Sequence, residues 1–279
     1  MATLFYGILN FLYKAAAERQ YINQAVILIS AASVVLSAFI TIIISGTGTA
    51  EILPALPYAL ANGTLFAFGA ISKFHALKLA PASVVFPVNK SNVLFVILIG
   101  IVFFNESPTK YQWLGIGFSI IVLVLISSEQ LNFSGKIALK GIYFAFTAAL
   151  CTSFSMTVGK LASTRVDRIT YILLSYIMVM LISFIIYWKR TSSDNKKMTF
   201  KRPGIFVIGC SIGILNFFGY KLVLSAFASG SMSLVQPILA LSILIPIFLS
   251  ALIYKERLTL LRVICIALTL ASILLIKSS

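Results

Sequence analysis

Five lysines and the chain's single histidine lie inside strongly apolar stretches, where charged side chains are costly. They are Lys14, Lys73, Lys90, Lys160, Lys221 and His75. A lysine at a lipid-facing helix centre costs about 2.5–3.5 kcal/mol, so the five cannot all face lipid at mid-depth. We therefore expect some of them to line a watery cavity, to pair with another group, or to extend towards the membrane interface.

The acidic residues are distributed differently. All seven map to loops or helix ends, namely Glu18, Glu51, Glu106, Glu129, Asp167, Asp194 and Glu256. With no carboxylate inside a predicted span, a bound ligand could supply the charge that the lysines lack. Because an ammonium group is a point-charge partner for phosphate or carboxylate, we hypothesise a cavity of positive potential that accepts an anionic or zwitterionic metabolite.

Lys90 is the strongest candidate, since it lies at the centre of the apolar segment "VVFPVNKSNVLFVIL" (Val84–Leu98). Asn89 and Asn92 beside it add hydrogen-bonding groups and are predicted substrate contacts as well. The alternative for Lys90 is packing against backbone carbonyls. The alternative for the two asparagines is a hydrogen bond that joins neighbouring helices.

Further polar residues complete the predicted substrate site: Lys73, His75, Lys221, Gln236, Asn62, Asn216, Tyr6 and Tyr220. A histidine can titrate near neutral pH, but a lone histidine is more often a packed hydrogen-bonding residue. For Lys14 and Lys160, which lie nearer the predicted helix ends, we expect extension towards the interface.

The elements that must position these residues are transmembrane helices. The chain is 60% hydrophobic and only 10% charged, against about 25% charged in a typical soluble domain. Spans of about 20 apolar residues recur along it and predict an all-α integral membrane protein. The ten candidate helices are Thr3–Glu18, Ala25–Ser45, Ile52–Leu79, Pro81–Phe104, Tyr111–Ser128, Ile137–Leu161, Ile169–Trp188, Gly204–Ala228, Ser231–Tyr254 and Leu260–Ile276.

An internal repeat at a spacing of 150 residues divides the chain into residues 1–130 and 131–279. The matching pairs include Gly63/Gly213, Phe68/Phe218, Gly69/Gly219, Pro87/Pro237, Glu106/Glu256 and Thr109/Thr259. Each half holds five predicted helices, and an odd number makes the second half enter the membrane inverted. Inverted repeats of this kind are typical of secondary transporters. Lys90 aligns with Ala240, so its charge belongs to one repeat only.

The formal net charge of +15 lies largely in membrane-flanking loops, where it sets topology and contacts anionic lipid, so we do not expect a nucleic-acid partner. Counted over ten spans, the loop charges predict that both termini face outward. Glu106 and Glu256, which end helices four and nine, are expected to cap helices or to pair at the surface. Thr109 and Thr259 offer hydroxyl caps to the helices that follow them.

Several motifs resemble the EamA-type repeat of the drug/metabolite transporter superfamily. They are Ala76–Leu77, Ala82, Pro87, "NESPT" (Asn105–Thr109), Gln112 and Gly115, with "SAF…SLVQP…YKERLTLL" (Ser225–Leu261) in the second half and Tyr6–Gly7 followed by Lys14 at the start. The resemblance implies ten helices in two inverted five-helix repeats, a central pocket, and termini in the cytoplasm, which differs from the orientation that the loop charges predict.

These features predict a secondary transporter, an exporter or an exchanger, of a small anionic or zwitterionic metabolite that works by alternating access. One alternative is a nucleotide-sugar or sugar-phosphate exchanger of the same fold, and another is a non-transporting or lipid-handling membrane protein. We expect no enzyme activity, no cofactor and no metal site. The expected setting is the lipid bilayer of the cell inner membrane, with a small-molecule substrate and a monomeric or homodimeric state.

Overall fold

The computed structural model describes residues 1–19, 21–46, 52–80, 85, 88–128, 136–190, 203–245 and 260–277, and this part of the chain is helical with no strand. Five stretches are long and apolar enough to cross a membrane: Gln24–Ser45, Ile52–Lys73, Leu139–Arg165, Arg168–Lys189 and Pro203–Ser229. Shorter apolar helices cover Ala2–Tyr13, Val88–Phe104 and Val263–Ile276.

The described residues include ten α-helices, and eight of them lie within four residues of the bounds predicted from the sequence. The predicted fourth and ninth helices extend into residues outside the described part of the chain. The ten helices are α1 (Ala2–Glu18), α2 (Asn23–Ser45), α3 (Ile52–Leu79), α4 (Asn92–Phe104), α5 (Lys110–Ser128), α6 (Lys136–Arg165), α7 (Arg168–Arg190), α8 (Pro203–Ser229), α9 (Met232–Ala240) and α10 (Leu260–Lys277). A 3-10 turn at Leu241–Ile243 continues α9.

The helix ends have identifiable local causes. Gly46 after α2 and Asn105 after α4 take left-handed backbone conformations, with φ of 63° and 51°, which end a helix. The predicted Thr109 cap is present: Thr109 Oγ1 accepts from the Gln112 N–H at 3.4 Å, and Gln112 Oε1 accepts from the Thr109 N–H at 2.9 Å. This reciprocal pair is a capping box. Thr259 and Glu256 lie outside the described residues.

The chain forms two compact units, and each draws on both sequence repeats. Unit 1 comprises Met1–Ala67 and Val158–Ala228, and unit 2 comprises Phe68–Thr157 and Ser229–Ser279. Helices α3 and α6 therefore contribute their residues to both units.

Unit 1 is built around close contacts at two glycines. A Cβ added to Gly63 of α3 would lie 2.7 Å from both the Ser175 carbonyl oxygen and the Met178 Cβ on α7. A Cβ on Gly213 of α8 would meet the Ser30 carbonyl and lie 2.5 Å from the Ser33 Cβ on α2. Since only glycine leaves room for these backbones, the two positions set how closely the helices approach.

Unit 2 is organised by α4 packing on α9 and α5 packing on α10. Val93 and Ile97 of α4 share an apolar cluster with Ala240 of α9. On the other pair, the Ser119 and Ser272 hydroxyls are 2.7 Å apart, and Ser272 donates to a backbone carbonyl of α5. These serines hold α5 and α10 together where both are buried.

The repeat is visible in the helix contacts. Helix α2 packs on α7, α4 on α9 and α5 on α10, so each of these helices contacts its own repeat equivalent. The glycine contacts match as well. A Cβ added to Gly69 would lie 3.3 Å from the Cβ of Cys151, and a Cβ added to Gly219 would lie 3.3 Å from the Cβ of Phe5. The two-repeat layout inferred from the sequence is therefore present in the structure.

We expect Gly63→Ala to destabilise the protein by about 1–3 kcal/mol, because the new methyl group overlaps the backbone of α7. The matched control is Gly117→Ala, where an added Cβ would meet nothing within 4 Å. Thermal unfolding in detergent should show a lower midpoint for Gly63→Ala and an equal or higher one for the control. Equal midpoints for the two variants would contradict close packing at Gly63.

Candidate functional site

Lys73 and Lys90 both belong to unit 2. Their ammonium groups are near enough to repel each other, and both side chains are half-buried. Lys73 shares one face of α3 with Gly69 and Ala76, at the i−4 and i+3 positions. Since Gly69 packs on α6 and Ala76 belongs to an apolar cluster that includes Ala145 of α6, the lysine pair lies beside α6.

The helix that carries Lys90 changes its hydrogen-bond pattern directly after it. Residues 88–90 are helical, but Ser91 is a turn and α4 begins at Asn92. The Ser91 hydroxyl donates to the Val88 carbonyl at 2.7 Å, and the Ser91 N–H donates to the same carbonyl at 3.1 Å. Ser91 itself has helical φ and ψ of −60° and −12°, so these i−3 contacts tighten the helix locally, and one apolar helix runs from Val88 to Phe104. Pro87 lies outside the described residues.

The second repeat changes geometry at the equivalent position. Helix α9 ends at Ala240, which aligns with Lys90, and the 3-10 turn begins at Leu241, which aligns with Ser91. Mid-helix 3-10 segments often mark functional hinges. The two tightened segments carry different side chains, with Lys90 and Asn92 in one repeat and Ala240 and Ser242 in the other.

The neighbours of Lys90 differ in how they are engaged. Asn92 is buried, and its backbone carbonyl accepts a hydrogen bond of 3.2 Å from the Ser153 hydroxyl on α6. Asn89 is half-buried. His75 Nδ1 lies 2.9 Å from the Ile71 carbonyl, which only accepts, so this nitrogen carries a hydrogen. That contact is the packed, hydrogen-bonding arrangement that the sequence left open for the histidine.

Gln236 of α9 is buried with an unsatisfied acceptor. Within the described part of the chain, its Oε1 has no hydrogen-bond partner, and neither has the hydroxyl of Ser233 one turn earlier. Leaving a buried polar atom unpaired costs about 1–3 kcal/mol. Gln236 is therefore suited to hydrogen-bond a ligand or a water molecule in unit 2.

Tyr220 of α8 is the centre of a buried polar cluster in unit 1. Its hydroxyl is 3.2 Å from that of Tyr171 on α7, and it also hydrogen-bonds with Asn62 of α3. One turn earlier on α8, Asn216 donates to the Tyr176 hydroxyl at 2.7 Å. The structure thus brings the predicted residues Asn62, Asn216 and Tyr220 together in what we call the tyrosine–asparagine cluster.

The tyrosine–asparagine cluster also contains two tyrosines that were not predicted from the sequence, Tyr171 and Tyr176, and lies next to one that was, Tyr6. Tyr171 and Tyr176 were not predicted, although two tyrosines within the apolar stretch "TYILLSY" (Thr170–Tyr176) were a usable signal. Tyr6 of α1 was predicted, and its ring packs 3.4 Å from where a Cβ on Gly219 would lie, next to Tyr220. Tyrosines with amides form an uncharged set of donors and acceptors.

Two further lysines belong to unit 1. The Lys160 ammonium donates to the Phe227 carbonyl at the end of α8, where a positive charge complements the helix dipole, so it does more than extend to the interface. Lys221 is half-buried, and its carbonyl accepts from the Ser225 hydroxyl at 2.9 Å. The side chain of Lys14 lies outside the described residues.

Glu106 caps a helix, as expected from the sequence. Its two carboxylate oxygens accept the backbone N–H groups of Met232 and Ser233 at 2.7 and 2.8 Å. A Cβ on Gly100 would lie 2.6 Å from Glu106 Oε2, so this glycine leaves room for the carboxylate. The contact ties the end of α4 to the start of α9.

A comparison with known protein families agrees with the repeat layout. A model described as the EamA-like transporter family matches residues 1–128 and 139–278. An uncharacterized protein of Methanocaldococcus jannaschii is 27% identical over 131 residues, which cover 46% of this chain and 91% of that relative. That relative therefore corresponds to about half of this chain.

Solved structures share the fold. One crystal structure of a protein matches with a TM-score of 0.81, over 99% of this chain and 94% of the matched chain, at 14% sequence identity. At this identity the likeness concerns the fold alone.

Tyr220→Phe should lower the free energy of unfolding by about 1–3 kcal/mol, because it removes the hydroxyl shared by Tyr171 and Asn62 and leaves them in a buried site. The control is Tyr143→Phe, which removes a hydroxyl from an exposed ring. Thermal unfolding in detergent measures both. A Tyr220→Phe midpoint equal to that of the control would show that the cluster adds no stability.

Glu106→Ala should cost about 2 kcal/mol, because two N–H groups at the start of α9 lose their acceptors. Glu106→Gln keeps one oxygen acceptor without the charge and should lose less. The measurement is thermal unfolding of the three proteins side by side. If the alanine variant unfolded at the wild-type temperature, the cap would not contribute to stability.

Proposed function

This chain belongs to the EamA-like transporter family, and on that premise we propose that it is a secondary transporter that carries a small anionic or zwitterionic metabolite across a membrane by alternating access. Its family and its apolar helices make it a multi-pass integral membrane protein that acts on a small molecule. Because the family is one of transporters, we propose that the chain is not an enzyme. The remaining question is which substrate chemistry the chain suits.

The observation that carries the proposal is the pair of lysines, one of which lies next to the turn at Ser91. Lys73 and Lys90 repel each other in a half-buried part of unit 2. Among the described residues, no carboxylate forms an ion pair with Lys90. An anion placed near Lys90 would offset this repulsion, so the unliganded state holds a charge that a substrate can neutralise. Intramembrane ionisable residues of this kind mark substrate pathways in many membrane proteins.

The surrounding polar groups favour a substrate with hydrogen-bonding capacity. Asn89 and Asn92 accompany Lys90, and the unsatisfied Oε1 of Gln236 suits a donor such as an amine or hydroxyl. A zwitterion or a hydroxylated anion presents both kinds of group. In unit 1 we propose the tyrosine–asparagine cluster as a second set of substrate contacts.

Alternating access follows from the architecture that we propose around these residues. Ten transmembrane helices would form two five-helix repeats, residues 1–130 and 131–279, inserted with opposite orientations. The equivalent glycine contacts of Gly63 and Gly213 support this symmetry. Two inverted repeats offer two equivalent packings that open to opposite sides. We place the protein in the cell inner membrane as a monomer or a homodimer.

The test is a thermal-shift screen of purified protein against carboxylates, phosphates, amino acids and a quaternary amine. A ligand at about 100 times its Kd stabilises the wild type by about 2.7 kcal/mol. Lys90→Met should unfold at the wild-type temperature or above it without ligand, because one of two repelling cations is removed. The same variant should lose the ligand-induced shift.

Lys140→Met is the matched control, since Lys140 is an exposed cation of α6, and it should keep the full shift. A response to the quaternary amine alone would contradict an anionic or zwitterionic substrate. Uptake of the identified ligand into proteoliposomes, with and without preloaded ligand, would then separate exchange from net transport.

A further inference from the structure

Two arginines at one end of unit 1 are each held by a hydroxyl group from another helix. Arg165 at the end of α6 donates to the Tyr58 hydroxyl of α3 at 3.0 Å. Arg168 at the start of α7 donates to the Ser225 hydroxyl of α8 at 2.8 Å. The two arginines are three residues apart in the chain, on either side of the turn between α6 and α7.

Each of these contacts uses only part of a guanidinium group. A guanidinium has five N–H donors in a planar fork that matches the oxygens of a carboxylate or phosphate. The Tyr58 oxygen accepts from Arg165, so its own O–H remains a donor that can point to the same ligand. Arg165 is exposed, and Tyr58 and Arg168 are half-buried, which leaves the set reachable from water.

The local charge at this turn is positive. Between residues 160 and 168 the chain carries Lys160, Arg165 and Arg168 against a single acid, Asp167. One Asp167 oxygen accepts the Thr170 N–H at 2.8 Å and so caps α7. Lys160 caps the end of α8. An anion at the arginines would therefore meet an electropositive region.

The arginine contacts lead to the tyrosine–asparagine cluster through the same three helices. Tyr58 lies one turn before Asn62 on α3, and Arg168 lies one turn before Tyr171 on α7. Asn62 and Tyr171 both hydrogen-bond with Tyr220. Polar groups thus continue within unit 1 from the exposed arginines to the buried tyrosines.

We propose that Arg165 and Arg168, with the Tyr58 hydroxyl, form a capture site for small soluble oxyanions, carboxylates or phosphates. Their guanidinium groups bind the oxyanion at the end of unit 1, and the polar groups behind them receive the rest of the molecule. This inference rests on the proposed function only in taking the captured anion to be the transported one. Binding at the arginines is independent of it.

Isothermal titration calorimetry of the purified full chain with succinate and with inorganic phosphate tests the site. Arg165→Gln should weaken binding of the preferred probe about ten-fold, since a charge-assisted hydrogen bond is lost. Arg165→Lys should recover part of the loss, because it restores the charge without the fork. Tyr58→Phe should weaken binding about three-fold. Raising the salt concentration should weaken wild-type binding.

Lys140→Gln removes an exposed positive charge from the opposite end of α6 and should bind as the wild type does. If Lys140→Gln and Arg165→Gln had equal effects, or if neither probe bound, the capture site would be refuted. Retention of phosphatidylglycerol by the wild type but not by Arg165→Gln in mixed phosphatidylglycerol–phosphatidylcholine nanodiscs, with no binding of soluble anions, would reassign the arginines to a lipid headgroup and overturn the proposal.

Transport assays distinguish this site from the proposed function. In proteoliposomes, Arg165→Gln should raise KM about ten-fold and leave kcat unchanged, whereas Lys90→Met should lower kcat. If no substrate is transported but the probes still bind through Arg165, the proposed function fails and the capture site stands. If transport depends on Lys90 but KM does not change in Arg165→Gln, the capture site fails and the proposed function stands.

Discussion

The close approach of helix backbones at glycine is the constraint on which the rest of the structure depends. Lipid tails are as apolar as leucine, so helices in a bilayer gain little from hiding apolar surface from one another, and association relies on tight packing and hydrogen bonds. At Gly63 and Gly213 a side chain of any size would overlap a carbonyl group of the facing helix. The two positions are repeat equivalents and contact equivalent residues on α7 and α2. One packing solution has thus been kept in both halves of the chain, and it determines which faces of α3 and α8 point into unit 1.

On this scaffold the two repeats share their geometry but not their chemistry. Helix α9 changes to a 3-10 turn at the position equivalent to the turn at Ser91, so this local change of helix geometry belongs to the repeat. Only one copy carries a lysine and two asparagines there. A half-buried cation with a like-charged neighbour opposes stability. The first repeat has such a cation at Lys90, and the second repeat has alanine at the equivalent position. A shared backbone geometry with different side chains in the two repeats is expected where a ligand contacts the repeats unequally. Glu106 contributes to the shared geometry and not to the lysine chemistry. Its carboxylate stabilises the start of α9 and takes no part in the lysine pair.

How far the sequence predicted the molecule differs between fold and site. Eight of the ten predicted helices match the structure to within four residues, because apolar length, turn residues and the Thr109 cap are local signals. The turn at Ser91 was missed, since a serine that bonds back to Val88 leaves no trace in hydrophobicity. Among the candidate site residues, Asn62, Asn216 and Tyr220 do meet, but their partners Tyr171 and Tyr176 were overlooked as ordinary apolar-span aromatics. Lys160 was expected to extend towards the interface, and the structure adds that it contacts the Phe227 carbonyl, a partner 67 residues away that no local pattern identifies.

The sequence by itself determined that this is a helical membrane protein with two repeats, and that its intramembrane charges are lysines without acids. Those conclusions rest on composition, periodicity and spacing, which are properties of short stretches of chain. Only the tertiary structure decided that Lys73 lies beside Lys90, that Tyr220 joins Tyr171 to Asn62, and that Arg165 and Arg168 each bind a hydroxyl on a different helix. Such pairings depend on how far each helix is rotated and how closely it approaches its neighbours. The rotation and the approach of each helix are set by packing at a few small residues. That packing determines which polar side chains of neighbouring helices meet.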